Sequence, residues 1–136
     1  METQPTERST QSLLDQRDTN RVELETTSPT TAVLALVGEH DLAQHAMLRE
    51  GIDRAASLRR QLVIDLSRCA FIDSTTISLL LYAQHEVASN GGRIALVVAP
   101  TASPVAAVVE LTRLAELIHI YPSLESAREA LETAGG

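Results

Sequence analysis

Residues 61–87 read QLVIDLSRCAFIDSTTISLLLYAQHEV. The first part, QLVIDLS (61–67), has a continuous apolar centre, the pattern of a strand covered on both faces of its sheet. FIDSTT (71–76) follows, a carboxylate and three hydroxyls at Asp73, Ser74, Thr75 and Thr76. Ile77, Leu80, Ala83 and Val87 then recur at spacings of three or four, an apolar stripe down one side of a helix. Strand, polar junction and helix in this order are the unit from which parallel α/β sheets are built. Local chemistry leaves two uses open for the junction. Asp73 or Ser74 can accept hydrogen bonds from the free N–H groups of the helix start. Alternatively, the hydroxyls are a place where charge is added and removed. One or two hydroxyls satisfy a cap, and the β-branched Thr75 and Thr76 are mediocre helix formers, so propensity alone does not account for all of them.

Working outward, Asn90-Gly91-Gly92 ends that helix with residues suited to a left-handed C-terminus. RIALVVA (93–99) is a further buried strand, and Ser103-Pro104 offers an N-cap followed by proline at the first helical position. Val105, Val108, Val109 and Thr112 share one face of the helix this opens. ELIHIY (116–121) reads as a strand, and Ser123 caps a last helix carrying Leu124, Ala127, Ala130 and Leu131. Upstream, RVELET (21–26) alternates as a half-buried strand does, Ser28-Pro29-Thr30 makes a turn, and AVLALVG (32–38) completes a hairpin. Asp41 and Gln44 have the spacing of a capping box, opening a helix with Leu48, Ile52, Ala55 and Ala56 on one face. The predicted order is β-β-α-β-α-β-α-β-α. It implies α/β architecture: a small mixed, largely parallel sheet with an antiparallel N-terminal hairpin, packed against about four helices. The expected organisation is a flexible polar tail over 1–20, one domain over 21–133 and a disordered end at 134–136.

Composition narrows the function classes. A chain of 136 residues with 44% apolar residues supports one packed core. The net charge of −7 argues against a nucleic-acid surface. No apolar run approaches the roughly 20 residues of a membrane span, and METQPTERSTQ has no hydrophobic centre for a signal peptide. The expected location is cytoplasmic. Cys69 is the single cysteine, so no internal disulfide or cysteine-rich metal site can form; it reads as a small buried apolar residue.

An enzyme is not expected. No G-x-S-x-G surrounds Ser74, and neither the phosphate-binding G-x-x-x-x-G-K-[ST] nor G-x-G-x-x-G occurs. His40, His45, His85 and His119 match no strong metal-ligand spacing. The sequence provides no catalytic set, cofactor site or metal site.

LVIDLSRCAFIDSTTISLLL, the amphipathic helix after it, GGRIALVVAP and the upstream GEHDLA together resemble the STAS domains of bacterial anti-sigma factor antagonists over roughly residues 22–133. The resemblance implies a STAS-like fold and a role in partner switching. In that family the hydroxyl after D-S is the phosphoacceptor. By position Asp73 and Ser74 match D-S, which places Thr75 as acceptor with Ser74 as the alternative. Thr76 stands where the family usually has Gly. The implied partner is an anti-sigma factor that is also a serine/threonine kinase, bound by the unphosphorylated protein and released on phosphorylation, with a phosphatase restoring the complex. Sigma-factor-dependent transcription is thereby regulated indirectly. The implied docking surface comprises Glu39, His40, Asp41, Asp73, Ser74, Thr75 and Thr76. The alternative is a STAS domain without a phosphate cycle, serving as a structural or regulatory subunit of a signalling assembly or transport ATPase. The oligomeric state is left open.

Overall fold

A computed structural model describes residues 20–40, 42–100 and 103–135. The element order is β1 (Arg21–Thr26), β2 (Thr31–His40), α1 (Leu42–Leu58), β3 (Gln61–Asp65), β4 (Cys69–Ile72), α2 (Ser74–Ser89), β5 (Ile94–Val97), α3 (Pro104–Leu111), a 3-10 turn (Leu114–Glu116), β6 (His119–Tyr121) and α4 (Leu124–Gly135). The sheet order is β1-β2-β3-β5-β6, with β4 paired to β2 off this path. Among the described strands only the β1–β2 hairpin is antiparallel, as the sequence pattern predicts.

Strand alternation divides the interior in two. Leu34, Leu36, Leu62, Ile64 and Leu96 project to one face, where they meet Leu48 and Ile52 of α1, Leu80 and Ala83 of α2, and Val105 of α3. Val33, Val63, Ala95 and Val97 project to the other, where Ala127 and Leu131 of α4 cover them. The central β3 is buried along its whole length because it carries helices on both sides.

Three departures from the sequence reading matter. The strand expected to reach Ser67 ends at Asp65, whose Oδ1 accepts the Ser67 N–H at 2.9 Å, a side-chain turn that bends the chain. The residues after that bend form β4, an element absent from the expected order. Third, only His119–Tyr121 of ELIHIY is strand. Arg113 adopts a left-handed φ of 57° and starts a 3-10 turn, which buries Leu114 and then Ile118.

β2 serves two partners in succession. Residues Thr31–Ala35 pair with β3, and Gly38–His40 pair with β4, with a register shift between Gly38 and Glu39. Gly38 has φ 85°, which side-chain-bearing residues rarely adopt, and its N–H donates to the Arg68 carbonyl. This switch carries the end of β2 alongside β4 and the polar junction after it.

Asn20 lies at the end of the stretch expected to be tail; its Oδ1 accepts the Glu39 N–H at 3.0 Å. The rest of that stretch, 1–19, lies outside the described residues, as does the proposed helix cap at Asp41. α4 runs to Gly135, into the end expected to be disordered.

Candidate functional site

Asp73 is the N-cap of α2, with extended backbone (φ −107°, ψ −178°). Its Oδ1 accepts the Thr76 N–H at 2.8 Å and the Thr76 hydroxyl at 2.9 Å. This is the capping geometry expected of an aspartate at that position. A third contact comes from α1, His45 Nε2 at 3.1 Å from the same oxygen. Burial works to raise the Asp73 carboxyl, but the hydrogen bonds from Thr76 and His45 outweigh it and hold the group below its ordinary value. The cap is therefore a carboxylate at neutral pH.

The three hydroxyls part company here. Ser74 and Thr75 are exposed, and neither side chain makes a hydrogen bond among the described residues. Thr76, expected on the docking surface, is instead 0% exposed. It starts the buried stripe that continues through Leu80, Ala83 and Val87, and its hydroxyl is spent on the cap. A glycine could not make that side-chain bond. The spacing of four from Thr76 to Leu80 was a legible signal, hidden because the stripe was read from apolar residues alone.

β4 brings the remaining candidates to this end of the sheet. Its register sets Glu39 beside Phe71 and His40 beside Ile72, one residue short of Asp73. Glu39 is exposed; the His40 side chain and Asp41 lie outside the described residues. Phe71, which the sequence reading passed over, is 46% exposed although it is the chain's only phenylalanine. Exposed single apolar residues are common, but this ring, in a chain so poor in aromatics, lies next to Glu39 and the hydroxyl turn and is of a type enriched at protein interfaces. Its scarcity was the available clue.

Farther along the α1–α2 pair, the Arg49 guanidinium lies 4.0 Å from the centre of the Tyr82 ring, and the Tyr82 hydroxyl donates to Asp53. The Asp53 hydrogen bond and burial together push the Tyr82 phenol above its ordinary value, with Arg49 opposing. On the other side of the junction, burial pushes the Cys69 thiol up to about 11, so it stays protonated and unreactive at neutral pH.

Among the described residues no cluster of His, Cys, Asp or Glu is placed to hold a metal ion, and no helix is long and apolar enough to cross a membrane. A half-open cavity of about 200 Å³ lined by Gln84, Val87, Arg93, Leu117 and His119 among others includes none of the turn residues. Around Asp73 the described residues present an exposed surface, with Glu39, Phe71, Ser74 and Thr75 open to solvent.

The STAS domain model matches residues 21–127. No curated protein sequence matches the chain. Among solved structures, an anti-sigma factor antagonist from Mycobacterium paratuberculosis superposes with a TM-score of 0.75 at 24% identity, covering 85% of this chain and 96% of that one. The anti-sigma factor antagonist SpoIIAA in its unphosphorylated form gives 0.63 at 22% identity, covering 85% and 98%. Its phosphorylated form, described as a Bacillus cell fate determinant, gives 0.63 at 22%, covering 80% and 97%. At these identities the likeness to each structure is one of fold. The family match spans most of the chain, on the same strand, capped junction and helix that the geometry singles out: the protein belongs to the STAS domain family.

Proposed function

We propose that this protein is an anti-sigma factor antagonist switched by phosphorylation of Thr75. In its unmodified form it binds an anti-sigma factor that is also a serine/threonine kinase, which frees the sigma factor. The kinase holds ATP and magnesium and transfers the γ-phosphoryl group to the Thr75 hydroxyl oxygen, with loss of the hydroxyl proton. A serine/threonine phosphatase reverses the step. The protein acts in the cytoplasm, on transcription only through its partner. The observation that carries this reading is the division of labour at the turn. Asp73 and Thr76 complete the cap between themselves, leaving Thr75 exposed with a hydroxyl that makes no hydrogen bond among the described residues. That SpoIIAA exists in phosphorylated and unphosphorylated forms supports extending the cycle to this chain.

The electrostatics suit a switch that acts without unfolding the domain. A phosphate brings about −1.5 to −2 charges at neutral pH. At the second residue of α2 it meets the positive end of the helix dipole, which tolerates anions. It also stands two residues from the Asp73 carboxylate and close to the Phe71–Glu39 surface. A partner packed over Phe71 then faces a hydrated dianion, and binding is lost while the fold remains.

The test is binding to the anti-sigma kinase recovered with the protein from its own host. Thr75→Glu is expected to weaken binding at least tenfold (about 1.4 kcal/mol), with an unchanged melting temperature, whereas Thr75→Ala binds but cannot be switched off. Peptide mass spectrometry of the host protein should find phosphate on Thr75 that varies with growth condition. Wild-type binding by Thr75→Glu would overturn the switch.

A further inference from the structure

The hydroxyl turn is held in part from a second helix. His45 lies on α1 and reaches Asp73 across 28 residues of sequence. Its side chain is 12% exposed, and its other ring nitrogen, Nδ1, is buried without a hydrogen-bond partner among the described residues. A buried polar atom left unpaired costs free energy. If the ring served only to fill space, a leucine or phenylalanine would do so without that cost. What histidine adds is a single donor aimed at Asp73. Because the ionised carboxylate can only accept, the ring proton must sit on Nε2.

Three donors then converge on one oxygen: the Thr76 N–H, the Thr76 hydroxyl and His45 Nε2–H. The first two belong to α2 itself and move with it. Among the described residues, His45 is the side chain that ties Asp73 Oδ1 to another helix. That helix is held by the core, where Leu48 and Ile52 of α1 share a buried cluster with Leu80 and Ala83 of α2. The two helices also meet at the surface, where Tyr82 donates to Asp53 and Arg49 lies over the Tyr82 ring. We infer that His45 is a positioning residue for Thr75: by holding Asp73 Oδ1 against α1, it fixes the first turn of α2 and the direction in which the Thr75 hydroxyl is offered. Its bearing on phosphotransfer rests on the reading of Thr75 as acceptor; its hold on the turn does not.

The first measurement uses the unaltered protein. Ring-nitrogen chemical shifts from long-range 1H–15N correlation spectra should show a proton on His45 Nε2. A ring protonated on Nδ1 alone could not donate to Asp73 and would overturn the inference. The second compares His45→Leu and His45→Phe, which keep the bulk, with His45→Gln, which can return a donor to the same place. Hydrogen exchange of the Thr76 amide should quicken at least fivefold in the apolar variants and recover in His45→Gln. Unchanged exchange in either apolar variant that folds reduces the ring to packing. The third is phosphorylation by the host's anti-sigma kinase. Misaimed acceptors react slowly even when bound, so the apolar variants should lose about tenfold in kcat with KM nearly unchanged, and His45→Gln should recover it. Loss confined to KM, or no loss, overturns the positioning of Thr75. If wild-type Thr75 accepts no phosphate, the functional reading fails by itself, while the tautomer and the Thr76 amide still decide whether His45 holds the turn.

Discussion

At the scale of single residues, Asp73 is the centre of the site because several tasks meet on one side chain. It follows β4, caps α2, accepts from the buried Thr76 hydroxyl and accepts from α1. Replacing it with alanine removes an N-cap, worth about 1 kcal/mol, and leaves the Thr76 hydroxyl buried without its acceptor, worth about 1–3 kcal/mol. Asp73→Ala should therefore cost about 2–4 kcal/mol in urea denaturation. Asp73→Asn keeps an acceptor and should cost less. The pH dependence follows from the lowered carboxyl. Its contribution is complete above the ordinary value of 3.8 and disappears as pH falls through the lower folded value. The stability gap between wild type and Asp73→Asn should thus be widest near neutral pH and shrink in acid below 3.8. A gap independent of pH would mean that the charge on Asp73 contributes nothing.

At the scale of elements, two glycines do opposite kinds of work. Gly38 lets β2 change partners, and the β4 pairing it permits sets Glu39 beside Phe71. Gly92 is required for space. α2 ends in a motif where Gly91 N–H returns to the Ala88 carbonyl and Gly92 N–H to that of Val87, satisfying two of the helix's last carbonyls. The turn then presses against the start of β3, so that a Cβ on Gly92 would lie 1.8 Å from the Arg60 carbonyl oxygen. No side-chain rotation relieves a clash with backbone. Gly92→Ala should cost at least about 2 kcal/mol in thermal or urea unfolding. Because this turn is at the far end of α2 from Thr75, partner binding per folded molecule should be unaffected.

For the whole molecule, the two-sided sheet keeps the core apart from the exposed turn at Ser74 and Thr75. Three helices bury one face and α4 the other, so the end carrying Asp73 and Thr75 is presented by a rigid body. Phe71 contributes little to either core: it is 46% exposed and belongs to neither buried cluster. Phe71→Ser should change stability by no more than about 0.5 kcal/mol. If the ring anchors the proposed anti-sigma partner, the same change should weaken that binding by tenfold or more, equivalent to about 1.4 kcal/mol. Undiminished binding would move the docking surface away from β4, toward the α1–α2 ridge around Arg49 and Tyr82.

Much of the fold was legible in the sequence because its signals are local. The caps at Asp73, Ser103 and Ser123 and the glycine end of α2 are made by residues within one helical turn of each other. The alternation of strands and helices along the chain, β4 apart, followed from the change of period. β4 was not legible. Its four residues bury only Cys69 and Ile72 at the two ends, a spacing of three without the alternation of a strand, and it is a strand because Gly38 frees the end of β2 to pair with it. The difference between Thr75 and Thr76 was half legible, through the stripe that Thr76 begins. The contact of His45 with Asp73 and the exposure of Phe71 were decided only by the tertiary structure. Both depend on which elements lie side by side, and that is set by packing summed over the whole core, to which no short stretch of sequence has access.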